Sequence, residues 1–259
     1  MTYETIMVGV EAGVGVVTLN RPDKLNALTP QMFGEVVDAL YTLPEMGARA
    51  VLLNAAGKGF CSGTDLQIEG ELSDFDAGRL LGESYHPAML KIVASKLPIV
   101  AAVQGACAGI GMSLALISDF VVAARSAYFL QAFVSIGLVP DGGSTWLLPQ
   151  LVGKARATEL MMLGERLPAE RAAEWGLIHK AVDDAALQDE AMALAARLAS
   201  GPTRALGLMR SGIARALEMS YAETLGMEQS NQTEAGRSPD FVEGVTAFLQ
   251  KRKPNFKGN

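Results

Sequence analysis

The chain predicts an α/β fold with a C-terminal helical extension. Three observations carry that reading: short continuous apolar runs of strand length, amphipathic segments alternating with them through about residue 182, and a helical pattern from about 185 onward. Each element follows from its residues. "IMVGV", a Glu-Ala-Gly turn and "VGVVTL" make a hairpin over 6–19. In "LTPQMFGEVVDAL", Thr29 is the N-cap and Pro30 the first helical residue, with apolar residues at 32, 33, 36, 37 and 40. "RAVLLNAAG" has the unbroken apolar character of a strand covered on both faces, and the glycine-rich "GKGFCSG" follows it. The polar segment near 67–79 reads as mobile surface. "LPIVAAVQG" (97–105) is a second buried strand, and "GIGMSLALISD" opens a buried helix. "FVVAA" and "GLIHKAV" (176–182) supply further strands. Ser238 and Pro239 open the last helix, "SPDFVEGVTAFLQKRK". Crossovers between parallel strands are expected to be right-handed. The division expected is an α/β core over 1–195 and a helical region over 196–259.

Composition excludes several functions. At 259 residues, 49% hydrophobic and 19% charged, the chain has ample material for a large core. Net charge is −6 and the basic residues are scattered apart from "KRK" at 251–253, so no nucleic-acid footprint is visible. Cys61 and Cys107 cannot build a disulfide framework, which points to a reducing, cytoplasmic setting. "MTYETIMVGVEAG" lacks the pattern of a signal peptide, and the longest apolar run is broken by Gly, Ser and Asp, so no membrane span is expected. His86 and His179 lie far apart without ligand spacing, and no metal site is expected. "GKGFCSG" and "GIGMSL" each lack part of a phosphate-loop or dinucleotide fingerprint, so no bound cofactor is expected.

Four stretches can carry chemistry. "FCSGTDL" (60–66) and "ACAGIGMSL" (106–114) each follow a buried strand and leave backbone N–H groups unshielded. The second runs into a helix, so amides and helix dipole point at one spot. Two converging donors would stabilise an oxyanion such as a thioester enolate; equally, the glycines serve tight connections between strand and helix. Asp141, in "IGLVPDGGSTWLLP", is either a turn residue of Pro-Asp-Gly type or a carboxylate made basic by an apolar wall of Leu138, Val139, Trp146 and Phe133. His86, in "ESYHPAML", is either a core histidine on an apolar helical face or a site residue. Trp146, Met161, Met162, Met209 and Met219 read as core or pocket wall, and Ser113 lacks the partners of a nucleophilic triad.

"NRPDKLNAL" (20–28), "KGFCSGTDL" (58–66), "PIVAAVQGACAGIGMSLALISDFVVAA" (98–124), the block 137–182 and "EGVTAFLQKRKPNFKG" together resemble the enoyl-CoA hydratase/isomerase (crotonase) superfamily over nearly the whole chain. The resemblance implies a spiral of ββα units with a C-terminal helical region serving a homotrimer or a dimer of trimers. It implies an acyl-CoA thioester as substrate, in fatty-acid or phenylacetate metabolism. The family's oxyanion hole falls on the backbone N–H groups of Thr64 and Ile110. Its CoA-binding strip falls on Lys24, Ala27, Ser62, Asp65 and Leu66, with the stretch around Phe248, Phe256 and Lys257 reaching the adenine end, often from a neighbouring subunit.

The departures narrow the chemistry. Family hydratases use two glutamates, where this chain has Ser113 and Phe133. No Glu or Asp occurs between Gly105 and Ser118, or between Arg125 and Val139, so glutamate-pair hydration is not expected. Members that shift double bonds, including the ring-epoxide isomerases of phenylacetate breakdown, carry an aspartate where Asp141 stands, and the 137–182 block resembles them most. The resemblance therefore implies an acyl-CoA isomerase with Asp141 as proton shuttle and His86 lining or assisting the site. The alternatives are a hydratase-like lyase, an aryl-CoA dehalogenase or hydrolase using Asp141 as nucleophile, and an acyl-CoA-binding protein with little catalysis. The dehalogenase pattern has a histidine where His86 stands but a tryptophan where this chain has Phe133.

Overall fold

A computed structural model describes residues 2–66 and 76–259. Strands β1 (Ile6–Glu11) and β2 (Val14–Leu19) form the expected hairpin, closed by Ala12 and Gly13 at φ 49° and 79°. Positive φ at both turn residues matches the twist of the paired strands. Helix α1 (Pro30–Thr42) starts where expected, with the Thr29 side chain accepting from the Met32 amide and Met32, Phe33, Val36, Ala39 and Leu40 buried. Strand β3 (Ala50–Ala55) follows. Of the segment read as mobile surface, 67–75 lies outside the described residues. Residues 77–79 belong instead to helix α2 (Ala77–Leu80), which the Asp76 side chain caps at the Arg79 amide. A π turn, Leu81–Tyr85, leads into α3 (His86–Val93).

The chain then winds repeatedly between two sheets. β4 (Ile99–Val103), fully buried, is followed by β5 (Ala106–Ala108) and α4 (Ile110–Leu116). β6 (Phe120–Ala124) and β7 (Tyr128–Leu130) repeat the step. The long α5 (Ser144–Leu163) is interrupted at Gly153, whose φ of 77° and ψ of 161° are not helical. Next come β8 (Leu167–Pro168), α6 (Ala169–Glu174) and β9 (Lys180–Val182). The late strand is thus shorter than the expected 176–182, because Leu177 and Ile178 are buried in a turn before it.

The large sheet runs β1-β2-β3-β4-β6-β9, and the small one β5-β7-β8. Parallel bridges Leu28–Thr64 and Cys61–Cys107 extend the small layer, so residues after β2, β3, β4 and β6 stack there in turn. This is the expected spiral, and it places the segments leaving the strands side by side. Helices α7 (Leu187–Ala199), α8 (Thr203–Ala216), α9 (Tyr221–Ala235) and α10 (Pro239–Leu249) complete the chain, with Ser238 capping α10 at Phe241. The boundary placed after 195 falls inside α7, whose Ala191, Ala195 and Ala199 all join the main core.

Candidate active site

Two loops meet at the C-terminal ends of the strands. The Cys61 amide donates to the Ala106 carbonyl at 3.0 Å, and the Ala108 amide donates back to Cys61 at 2.9 Å. Gly63, at φ 107°, brings its loop so close that a Cβ there would lie 3.4 Å from the Ala108 oxygen. The residues after the two close-approach glycines are Thr64 and Ile110. Among the described residues neither backbone N–H donates to a backbone carbonyl. The sequence-selected pair is therefore carried on touching loops, with the Ile110 amide at the start of α4.

The loop bearing Lys24 and Ala27 packs onto the first of these. Asn26, fully buried at φ 53°, donates to the carbonyls of Ala56 and Gly59 and accepts from the Arg21 amide. Ser62 donates its amide to Leu25 and, at 3.5 Å, its hydroxyl to the Lys24 carbonyl. Asp65 pairs with Arg21 at 2.7 Å, and Arg21 also donates to the Ala27 carbonyl. The structure thus brings together Lys24, Ala27, Ser62 and Asp65, with Leu66 exposed at the end of the strip. Asp65 acts there as a brace.

Asp141 sits opposite. Its carbonyl accepts from the Ser144 amide and from the Ser113 hydroxyl at 3.2 Å, which is the turn role anticipated for Pro-Asp-Gly. Its carboxyl does something else: Oδ1 is buried with no hydrogen-bond partner among the described residues. Burial pushes its pKa up to about 6. The next residue, Gly142, packs on α4: a Cβ there would stand 2.8 Å from Ile110 and 2.9 Å from Ser113. The expected wall of Leu138, Val139, Trp146 and Phe133 is only partly buried. Phe133 is buried and approaches Gly109, but Val139 is 78% exposed, and Leu138 and Trp146 are also exposed.

Beneath Asp141 lies a polar chain. Gln131 donates to Ser144 Oγ at 3.1 Å, Ser144 and Ser113 share a 2.8 Å bond, and Ser113 donates to Asp141 O. Because the Ser113 proton goes to Asp141, Ser144 must be the donor to Ser113, so the chain has one direction. Gln131 and Ser144 escaped the sequence reading; a glutamine inside "FLQAF" was the available signal.

His86 and the C-terminus are placed as follows. His86 opens α3 with its side chain exposed, so it is not a core histidine; its neighbour Tyr85 is the buried residue. Phe256 and Lys257 are not brought to this chain's own site. Arg49, just before β3, donates to the Phe256 carbonyl, and Asp240 accepts from the Lys257 and Gly258 amides. That holds the tail at the opposite end of the strands.

The chain as a whole has known relatives. The family profile described as enoyl-CoA hydratase/isomerase matches residues 9–259. The chain belongs to the enoyl-CoA hydratase/isomerase family, whose enzymes act on acyl-CoA thioesters. It is 43% identical to the "1,2-epoxyphenylacetyl-CoA isomerase" of Escherichia coli K12, covering 98% of this chain and 99% of the relative. It is also 43% identical to a "Probable enoyl-CoA hydratase" of Rhodobacter capsulatus, covering 100% of each. The crystal structure of "Enoyl-CoA Hydrates Subunit I" from Geobacillus kaustophilus HTA426 superposes with a TM-score of 0.92 at 35% identity, covering 99% of both chains. No helix among the described residues is long and apolar enough to cross a membrane.

Proposed function

We propose that the chain is an acyl-CoA isomerase in which Asp141 carries the migrating proton and the Thr64 and Ile110 amides hold the thioester oxygen. The observation that carries this reading is the buried carboxyl oxygen of Asp141, left without a partner on the residue that precedes the Gly142–Ile110 contact. A carboxylate in water is far too weak a base for a thioester α-proton. Burial raises its basicity, and two preorganised donors lower the energy of the enolate. Asp141 removes a proton from C2 of a 3-enoyl thioester and the electron pair moves toward the thioester oxygen. The carboxylic acid then returns its proton at C4, leaving the double bond between C2 and C3.

The strip of Lys24, Ala27, Ser62, Asp65 and Leu66 is the surface for CoA, and His86 and Trp146 flank the acyl group. Phe256 and Lys257 serve a neighbouring subunit's site in this reading, which their position away from the chain's own site supports. The helices α8–α10 are the assembly surface of a trimer or a dimer of trimers, supported by exposed Met209, Ile213, Phe241, Val242 and Phe248. Cytoplasmic placement is in keeping with two free, buried thiols, Cys61 and Cys107.

The test is a 3-enoyl-CoA incubated in D2O with wild type and with folded Asp141→Asn, following mass and double-bond position. Conversion to the 2-enoyl thioester by wild type alone supports the reading. Full activity of Asp141→Asn overturns it. A trapped acyl-enzyme would move Asp141 to the nucleophile's role, and tight CoA binding without turnover of any thioester would leave a binding protein.

A further inference from the structure

We propose that Tyr85 is a positioning residue for the Thr64 amide, holding it through Leu28. This rests on the reading that the Thr64 amide binds the thioester oxygen. Leu28 suspends both neighbours of Thr64: its amide donates to the Gly63 carbonyl at 2.7 Å, and its carbonyl accepts from the Asp65 amide at 2.9 Å. The Thr64 peptide therefore points wherever Leu28 sets it. The Tyr85 hydroxyl donates to that same Leu28 carbonyl at 2.9 Å, across 57 residues of chain.

The phenol is built in rather than incidental. Tyr85 is 1% exposed, with its ring 4.8 Å from that of Phe33. It ends a π turn, Leu81–Tyr85, the kind of helical irregularity that often marks functional sites. Burial above all pushes its pKa up to about 12, and the charges of Asp141, Asp65 and Cys61 add to the rise. The hydroxyl therefore stays protonated at neutral pH, and its one proton is committed to Leu28. A phenol so committed does not protonate substrate; it fixes the direction of an amide that does the binding.

The experiment reads the bound thioester directly. Butyryl-CoA labelled with 13C at its carbonyl cannot isomerise, and its infrared stretch falls when oxyanion donors polarise it. In Tyr85→Phe at least half of that fall is expected to disappear. Turnover of a 3-enoyl-CoA should drop on the order of 10- to 100-fold with little change in KM, less than the loss of a whole donor. A folded Tyr85→Phe with the full carbonyl shift overturns the proposal. Should Tyr85→Phe not fold, wild type carrying 3-fluorotyrosine, whose hydroxyl is a stronger donor to the Leu28 carbonyl, takes its place; an unchanged shift there also overturns it. Asp141→Asn is expected to lose turnover yet keep the carbonyl shift. If wild type shows no shift, the oxyanion reading itself falls, and the Tyr85 proposal with it.

Discussion

Gly63 and Gly109 face each other where the two loops meet: a Cβ built on Gly109 would lie 3.7 Å from Gly63 Cα and 3.7 Å from Phe133 Cζ. Gly109 adopts φ 52° and ψ −132°, a backbone conformation open to glycine and strained for other residues. An alanine there has to strain the backbone or turn the following peptide, which carries the Ile110 amide. Gly109→Ala is expected to lower kcat on the order of 100-fold, as for a lost oxyanion donor, and to cost roughly 1–3 kcal/mol of stability. Steady-state kinetics beside denaturant unfolding would separate the two effects; unchanged kcat would count against a donor at Ile110.

The Asp141 carboxyl, with its pKa near 6, should give the rate a pH limb. If the base must be ionised, kcat/KM rises with pH through about 6 and the limb vanishes in Asp141→Asn. Stability runs the other way. The folded state binds this proton more tightly than the unfolded one, so the stabilisation is complete below the unfolded value near 3.8 and is lost as pH rises through about 6. Above that, Asp141→Asn should be more stable than wild type by roughly 1–3 kcal/mol, with the gap closing by pH 4. Thermal melts of both proteins across pH 4–8 would show the gap opening as pH rises.

The chain from Gln131 through Ser144 and Ser113 to the Asp141 carbonyl acts as a unit. Ser144→Ala strands a Gln131 N–H and leaves Ser113 without its donor, costing roughly 1–3 kcal/mol. The double variant Ser113→Ala/Ser144→Ala should cost less than the sum of the two singles, because one bond is counted twice. Urea midpoints for the four proteins would complete the cycle; strict additivity would contradict the coupling.

Arg210 ties the C-terminal helices to the core. From α8 it pairs with Asp119 at 2.9 Å and donates to the carbonyls of Ile92, Val93 and Ser95 at the end of α3. Asp119 in turn accepts from the Ile99 amide at the start of β4. Arg210→Met leaves the partly exposed Asp119 carboxylate and three carbonyls without the guanidinium. It is expected to destabilise by roughly 1–3 kcal/mol, visible as a lowered melting temperature.

What the sequence discloses here is what is local. The hairpin, the Thr29 cap, the apolar runs of β3, β4 and β6 and the two glycine loops are each written in a few adjacent residues. Asp141 was visible because proline and two glycines frame it. Tyr85 was not, since its partner Leu28 lies in another turn of the winding, and a tyrosine beside a histidine draws less notice than the histidine. The Asp119–Arg210 pair joins residues 91 apart, and the Arg49–Phe256 bond joins residues 207 apart; no periodicity encodes either. The exposure of Val139 is likewise a property of the assembled loop rather than of its apolar character.

Asp65 and Asp76 are each fastened by hydrogen bonds to described residues. Asp65 is held by Leu28 and Arg21, and Asp76 by its own cap on Arg79. Asp65, one residue beyond Thr64, is thus fixed from the 21–28 segment, and the direction of the Thr64 amide is inherited from a different turn of the winding than its own.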